Sequence, residues 1–269
     1  MQGRVLTIAG SDPSGGAGIQ ADIKTITVLG GYAMAAVTAL TVQNTMGVSR
    51  VSPVEPQLIR EQIDACLPDI GADAIKIGVV PTIDAADAIS DTLAGMTEIP
   101  IVLDPVMVAT SGDALSKSSV IERLIDHLGS SIAVVTPNTD ELNALVRRGG
   151  NDAAGLETEA DVIDAGRELS ARLGKPVLAK GGHLSGDRVV DTLIANGSVR
   201  EFSKPRLDTS STHGTGCTLA SAIATGLAQG LALDESCDRA IQFVHEAIKT
   251  APQLGQGRGP LNHTHGISI

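Results

Sequence analysis

The chain has 269 residues, of which 42% are hydrophobic, and it carries a formal net charge of −11 with an isoelectric point near 4.9. This composition is typical of a globular protein that buries a sizeable core. The sequence has no Trp, one Tyr and two Phe, so it lacks the aromatic residues that stack on nucleic-acid bases. With an acidic balance and no basic stripe, it also lacks the usual electrostatic footprint for phosphate backbones, and we expect no nucleic-acid partner.

The cysteines and the N-terminus indicate the compartment. The chain has an odd number of cysteines, Cys66, Cys217 and Cys237, and no Cys-x-x-Cys motif. This pattern predicts a reduced, intracellular protein with neither a disulfide framework nor a zinc site. The N-terminal apolar run is too short for a signal peptide, and no apolar run is long enough to span a bilayer. We therefore expect a cytoplasmic protein with no membrane partner.

Short apolar runs alternate with amphipathic segments along the chain. The runs predict strands at 5–9, 33–42, 72–77, 99–103, 132–135 and 177–179. Helical spacing of apolar residues predicts helices at 19–29, 56–67, 84–94, 118–128, 139–147, 158–173, 217–229 and 235–250. Such alternation favours an α/β fold with a mostly parallel sheet covered by helices.

A hairpin and a loop complete the organisation. Asn196-Gly197 separates two apolar runs, 188–194 and 198–203, and this dipeptide is a strong hairpin signal. The stretch 149–156 is predicted to be a loop, but composition does not change across it. We therefore expect one domain over 1–269.

Ligands of open α/β sheets bind at the carboxyl ends of the strands. Polar or glycine-rich residues follow five of the predicted strands, at 10–12, 41–44, 104–105, 136–138 and 180–183. Their distribution is compatible with one cleft across the sheet.

The first loop, GSDPSGGAGIQA, has three interpretations. Gly10-xxxx-Gly15 begins like a P-loop, but Gly16-Ala17 replaces the Lys-Ser/Thr pair. Gly16, Gly18 and Ala21 match a dinucleotide fingerprint, although no acidic residue ends the second strand to hold a ribose. A glycine-rich loop leading into a helix is the third interpretation.

Two polar clusters also have a structural and a functional interpretation. Asn138 and Glu141 have the spacing of a helix capping box, or they position Mg²⁺ against phosphates. Asp104 is either an acid that ends a strand before Pro105 or a further metal ligand. His263 and His265 have no third ligand type nearby, so we interpret them as loop histidines.

The segment His213-Gly-Thr-Gly-Cys217 precedes a helix rich in small residues. Consecutive backbone N–H groups at a helix start form an anion cradle. Cys217 is either a core residue or a thiol whose pKa is lowered by the helix N-terminus. We predict a modest lowering of this pKa.

Seven motifs in order carry a resemblance to a known family: GSDPSGGAGIQADIKT, TALTVQNT, KIG, DPVM, TPNTDE, KGGH and STHGTGCTLASAIA. Together they resemble the hydroxymethylpyrimidine/phosphomethylpyrimidine kinases of thiamine biosynthesis, over about residues 5–265. The resemblance implies the ribokinase-like three-layer α/β/α fold, with its mostly parallel sheet and small β-hairpin. It further implies ATP and Mg²⁺ as cofactors, phosphorylation of an aminopyrimidine alcohol and then of its monophosphate, and a homodimer.

The resemblance also implies roles for particular residues. The catalytic residues are Gly214, Thr215 and Gly216, which form the phosphate cradle, and Cys217, which both accepts the proton of the substrate hydroxyl and positions that hydroxyl. The substrate side comprises Gly10, Ala17, Asp22, Gln43, Val79 and Val106, with Asp22 and Gln43 reading the ring by hydrogen bonds. The ATP side comprises Asn138, Lys180, Gly181, Gly182 and Thr215, and the metal residues are Asp104 and Glu141.

Three other functions remain open from the sequence. Gln43 and Val79 differ from the Glu and Met of some family members, which leaves a pyridoxine or pyridoxal kinase as the alternative. A non-catalytic pyrimidine-binding protein and a dehydrogenase are the others. Loops 104–117 and 181–190 are candidate lids because they are polar and lack periodicity.

Overall fold

The computed structural model describes residues 2–109, 111–147 and 155–267. Its nine strands form one sheet in the order β3-β2-β1-β4-β5-β6-β7-β8-β9. The strands are β1 (Arg4–Ser11), β2 (Tyr32–Asn44), β3 (Gly47–Pro53), β4 (Ala74–Ile77), β5 (Ile101–Leu103), β6 (Ile132–Val135), β7 (Val177–Ala179), β8 (Arg188–Ala195) and β9 (Ser198–Pro205). Strands β2, β1, β4, β5, β6 and β7 are parallel, as the alternating pattern predicts.

Eight helices cover the sheet within the described residues: α1 (Gly18–Val28), α2 (Pro56–Cys66), α3 (Ile83–Leu93), α4 (Ser118–Leu128), α5 (Thr139–Arg147), α6 (Glu159–Leu173), α7 (Thr215–Ala228) and α8 (Leu233–Lys249). Most begin and end within one or two residues of the predicted bounds. The loop predicted at 149–156 lies largely outside the described residues.

Alternation along the strands produces the three layers. In β4, Ile75 and Ile77 pack on α2 to α6, whereas Ala74 faces α1, α7 and α8. Successive side chains of a strand point to opposite faces, so a continuous apolar run buries both faces of the sheet. The fold is therefore a helix–sheet–helix sandwich, as expected.

Antiparallel hairpins end the sheet at both edges. The predicted hairpin is confirmed: β8 and β9 pair around Asn196 and Gly197, which both have positive φ (50° and 78°), as a tight primed turn requires. The other hairpin, β2–β3, was not predicted. Strand β3 reads GVSRVSP, which is too polar to stand out as an apolar run.

Candidate active site

A cavity of about 770 Å³ opens at the carboxyl ends of the parallel strands. Loops after β1, β4, β5, β6 and β7, the end of β2 and the start of α7 line it. It is lined by most of the residues proposed from the sequence: Gly10, Ala17, Gln43, Val79, Asp104, Val106, Asn138, Glu141, Lys180, Gly182, Gly214, Thr215, Gly216 and Cys217. The expected single cleft is therefore present.

Two of the proposed residues lie outside the cavity lining. Asp22, expected to read the ring, has 0% exposure, and its carboxylate accepts from Thr7 Oγ1 at 2.5 Å and from Ser221 Oγ at 2.7 Å. Its main partner is the ammonium of Lys76, 2.9 Å away. Asp22 is the counter-ion of a buried lysine and lies outside the cavity lining, so this geometry does not place its carboxylate where a ring in the cavity would meet it.

Gly181 is also absent from the residues that line the cavity. Its N–H donates to Asp191 Oδ1 at 2.9 Å, and a Cβ at this position would overlap the Val190 carbonyl. Gly181 thus joins β7 to β8 by close backbone approach, whereas its neighbour Gly182 reaches the cavity.

The anion cradle is formed at the start of α7. Gly214 has φ of 83° and begins the helix without a side-chain cap. The Thr215 N–H donates to the Thr212 carbonyl at 3.3 Å, whereas no described group accepts from the N–H groups of Gly216 and Cys217, which remain available to a ligand. A Cβ on Gly216 would lie 3.3 Å from Lys180 Nζ and 3.5 Å from Asp104 Oδ2. The cradle therefore faces both a cation and a carboxylate.

Lys180, Asp104 and Glu141 form the charged side of the cavity. Lys180 Nζ donates to Asp104 Oδ1 at 2.9 Å and lies 3.7 Å from Glu141 Oε2. Burial disfavours the ammonium, but the two carboxylates outweigh it and raise the pKa of Lys180. The lysine is thus charged when a phosphate enters.

The capping interpretation of Asn138 and Glu141 is confirmed. Glu141 N–H donates to Asn138 Oδ1 at 2.9 Å, and Asn138 N–H donates to Glu141 Oε2 at 2.8 Å. Burial raises the pKa of Glu141 to about 7, against the opposing effect of Lys180. Capping leaves Glu141 in the cavity lining, so the metal interpretation stays compatible with the same geometry.

The donor set fits a magnesium ion held together with phosphates. Asp104 is fully buried, and its Oδ2 has no hydrogen-bond partner, whereas Oδ1 accepts from Thr136 and Lys180. No group of three His, Cys, Asp or Glu side chains in the described residues could hold a metal ion alone. Mg²⁺ commonly uses one or two carboxylates and completes its shell with water and phosphate oxygens.

The expected lowering of the Cys217 pKa is not found. Burial raises the pKa of this thiol to about 11, although the Lys76 ammonium opposes the change. The cost of desolvating a thiolate exceeds the benefit of the helix N-terminus and the nearby cation. Cys217 lines the cavity as a neutral thiol, which suits positioning better than proton acceptance.

Gln43 presents hydrogen-bond donors to the cavity. Its Oε1 accepts from Thr41 Oγ1 at 3.2 Å, and no described residue accepts from its amide nitrogen. The amide therefore has N–H groups free for a ligand atom that accepts, such as a heterocyclic ring nitrogen.

Sequence reasoning missed several polar residues of this site. Asp12 and His213 lie together in the lining, Nε2 to Oδ2 at 2.8 Å, and Asp191 also reaches it with a pKa raised to about 6 by burial. His213 is part of the HGTGC motif, so its position next to the glycines was the available signal. Asp191 lies within a hairpin strand, and no sequence signal marked it as a residue of the site.

The competing motif interpretations can now be decided. The first loop is a glycine turn into α1, and Gly18 has φ of 57° where a Cβ would overlap the Gly10 carbonyl. His263 is buried and bonded to Thr218 Oγ1 at 3.0 Å, with its pKa lowered to about 4 by burial.

No described helix is long and apolar enough to cross a membrane.

Comparisons with known proteins agree with this geometry. The family described as phosphomethylpyrimidine kinase matches residues 12–262. A hydroxymethylpyrimidine/phosphomethylpyrimidine kinase of Rhizobium meliloti is 42% identical over 97% of this chain and 96% of its own. Among solved structures, a Bacillus subtilis pyridoxal kinase in complex with ADP has a TM-score of 0.88 at 33% identity, covering 98% of both chains.

A second solved structure, phosphomethylpyrimidine kinase from Clostridium difficile, has a TM-score of 0.76 at 36% identity and covers 91% of this chain and 99% of that one. Some relatives are longer: the chain spans 52% of a thiamine biosynthesis bifunctional protein of Geobacter sulfurreducens and 35% of a multifunctional one of Corynebacterium efficiens.

The sheet order and the similarity to the Bacillus subtilis pyridoxal kinase place the chain in the ribokinase-like fold class. Within that class the match over 12–262 and the identity of about 40% decide the family. The chain belongs to the phosphomethylpyrimidine kinase family.

Proposed function

We propose that this protein phosphorylates 4-amino-5-hydroxymethyl-2-methylpyrimidine with ATP and then phosphorylates the resulting monophosphate to the pyrophosphate used for thiamine. One observation carries the proposal: the uncapped N-terminus of α7 faces Lys180 and the unpartnered Oδ2 of Asp104 across one cavity. The helix N–H groups and the ammonium stabilise charge on a phosphoryl group without forming a covalent bond to it, and the carboxylate would hold Mg²⁺ beside them.

The alcohol binds, in this proposal, at the β1–β2 end of the cavity. Gln43 offers N–H groups to a ring nitrogen, while Ala17, Val79 and Val106 line the same cavity and pack on the ring. Cys217 lies beside the hydroxymethyl group and holds it toward the cradle.

ATP binds from the other end. The free N–H groups of Gly216 and Cys217, at the start of the helix that follows Gly214 and Thr215, receive the γ-phosphoryl group, and Lys180 neutralises its charge. Asp104 and Glu141 would hold Mg²⁺, which supplies a fixed positive charge to the phosphates. The complexes of the Bacillus subtilis and Staphylococcus aureus pyridoxal kinases with ADP and AMP-PCP support the use of an adenine nucleotide.

In the transfer step, the hydroxyl oxygen forms a bond to the γ-phosphorus while the bond to the departing ADP oxygen breaks. The transition state of such a transfer is loose, so the hydroxyl proton leaves late, passes to an oxygen of the transferred phosphoryl group, and needs little help from a protein base. This accounts for a neutral Cys217 at a position where a strong base is unnecessary.

The test is a panel of alcohols with Mg-ATP. We expect kcat/KM for hydroxymethylpyrimidine and its monophosphate to exceed the values for pyridoxine and pyridoxal, with each product identified by mass. A preference for the pyridine vitamers would establish the pyridoxal kinase function instead, which the structural similarity to those kinases keeps as the second candidate. If none of these alcohols is phosphorylated, the result would favour a non-catalytic pyrimidine-binding protein.

We also propose that residues 1–269 act as one cytoplasmic catalytic domain and that two copies associate through the β2–β3 hairpin. Leu40, Val42 and Met46 of this hairpin region are 56%, 57% and 64% exposed, next to an edge strand that can pair with a second copy. Light scattering after chromatography tests the dimer, and Met46→Glu should shift it toward monomer. A monomeric wild type would contradict this proposal.

A further inference from the structure

Two glycine loops meet at the centre of the cavity. Loop 10–18 contributes Gly10, Ala17 and Gly18 to its lining, and the cradle loop 213–217 contributes the phosphate-facing amides. Their backbones approach so closely that a Cβ on Gly16 would overlap the His213 ring, and a Cβ on Gly214 would overlap the Gly16 carbonyl. Side-chain bonds between these loops therefore control how the two ends of the cavity are aligned.

Asp12 and His213 supply such a bond. Oδ2 of Asp12 lies 2.8 Å from Nε2 of His213, and the two side chains belong to residues that are 2% and 4% exposed. The positions are 201 residues apart in sequence, so the pair joins the first loop of the chain to the last catalytic loop. A buried bond to a charged acceptor is stronger than one between neutral groups.

Each partner is also fixed within its own loop. Asp12 accepts from Ser14 N–H and Ala17 N–H, both at 2.8 Å, which closes loop 10–18 around its carboxylate. His213 N–H donates to the Gly259 carbonyl at 3.0 Å, which ties the cradle loop to the C-terminal segment. A shift of either loop must therefore break the bond between Asp12 and His213 or distort the loops themselves.

We propose that Asp12 and His213 are a positioning pair that keeps the hydroxyl of the alcohol in line with the phosphoryl group in the cradle. This inference rests on the proposed function and adds to it two residues to which that function assigned no role. The reason is geometric, since phosphoryl transfer depends mainly on alignment, and a displacement of about 1 Å can reduce a rate by about 10²-fold. Loss of the pair should therefore reduce turnover and let water compete for the phosphoryl group.

The test compares His213→Leu and Asp12→Asn with a matched control, His263→Leu, because leucine cannot donate to the Asp12 carboxylate. His263 is also a buried histidine bonded to a residue of α7, but it does not line the cavity. For each protein we would measure kcat with hydroxymethylpyrimidine, the affinity for ADP by calorimetry, the melting temperature, and the number of ADP formed per phosphorylated alcohol.

For the two pair variants we expect kcat to fall by about 10²-fold, ADP affinity to change by less than about threefold, and more than one ADP to form per product. The control should keep one ADP per product and the wild-type kcat. A purely structural role would lower the melting temperature and leave the ADP-to-product ratio at one. If one pair variant fails to fold, the other carries the test.

Two negative results are distinguishable. An active wild type with pair variants that keep kcat and the one-to-one ratio would overturn the positioning role and leave the function intact. A wild type that forms no phosphorylated alcohol from the pyrimidine would overturn the proposed function, and the positioning role with it.

Discussion

The ammonium of Lys76 lies 2.9 Å from the carboxylate of Asp22, and neither side chain is exposed to solvent. The pair joins β4 to α1 directly beneath the cavity, with Thr7 and Ser221 completing the hydrogen bonds of the carboxylate. Burial disfavours the ammonium, but Asp22 together with smaller effects of neighbouring groups outweighs it, so the pKa of Lys76 is raised. The charged pair therefore lies behind the cavity lining, close enough to Cys217 for the ammonium to oppose the rise in the pKa of its thiol.

Replacing Lys76 by Met should therefore destabilise the protein strongly. Removing one partner of a buried ion pair leaves an uncompensated charge, which typically costs about 3–5 kcal/mol of unfolding free energy. Urea unfolding measures this, and Lys76→Met with Asp22→Asn should recover part of the loss. Arg60→Met, which breaks a largely exposed pair with Asp91, is the control and should cost about 1 kcal/mol or less. Equal losses for Lys76→Met and Arg60→Met would contradict the account.

Cys217 should react slowly with alkylating agents at neutral pH. Its pKa is raised to about 11 by burial, so the thiolate fraction near pH 7 is very small. The inactivation rate by iodoacetamide should rise about tenfold per pH unit between pH 7 and 10. Cys217→Ser should retain more activity than Cys217→Ala, because a hydroxyl can still position the substrate.

The Cys217→Ala protein is the control for that experiment, since it reports any contribution from Cys66 and Cys237. A plateau of the alkylation rate below pH 8 would show a thiolate at neutral pH and restore the role of base.

Glu141→Gln should lower kcat and raise the Mg²⁺ concentration needed for half-maximal activity. Gln retains an oxygen for the Asn138 N–H, so the cap is preserved and the unfolding free energy should change by about 1 kcal/mol or less. Mg²⁺ titrations of activity at saturating ATP measure the shift. An unchanged Mg²⁺ dependence together with a large loss of stability would show that Glu141 only caps α5.

His263 should make the protein sensitive to acid. Burial, with smaller effects of Lys24 and His265, lowers its pKa from 6.5 to about 4 in the folded state. The unfolded chain binds the proton first as pH falls, so the stability present above pH 6.5 is lost as the pH falls toward 4. The loss between pH 7 and pH 5 should be about 2 kcal/mol.

Urea unfolding at the two pH values measures this loss in the wild type and in His263→Gln. The variant should lose about 2 kcal/mol less than the wild type over the same interval. Equal pH dependence of the two proteins would mean that another group controls acid sensitivity.

The fold was largely predictable because most strands are apolar runs and most helices show periodic apolar faces. Strand β3 was missed for a physical reason: as an edge strand it packs only one partner, β2, and needs few apolar residues. Hairpin β8–β9 was predictable because Asn196-Gly197 defines its own turn.

The site was predictable where chemistry follows a strand end, as for Asp104, Asn138 and Lys180. It was not predictable where a partner distant in sequence decides the outcome. Asp22 lies in α1, which borders the cavity, but its carboxylate is bonded to Lys76, which is 54 residues away in the sequence, and not to the cavity. The high pKa of Cys217 likewise depends on burial, which the motif does not show.

The most direct test of the central claim follows both phosphorylations in one sample by ³¹P NMR, starting from hydroxymethylpyrimidine and excess Mg-ATP. The account predicts that the monophosphate appears first and is then replaced by the pyrophosphate, with two ADP formed per alcohol consumed. Lys180→Met, which removes the cation beside Asp104, should slow both steps. A wild-type reaction that stops at the monophosphate, or that proceeds faster with pyridoxal, would contradict the claim.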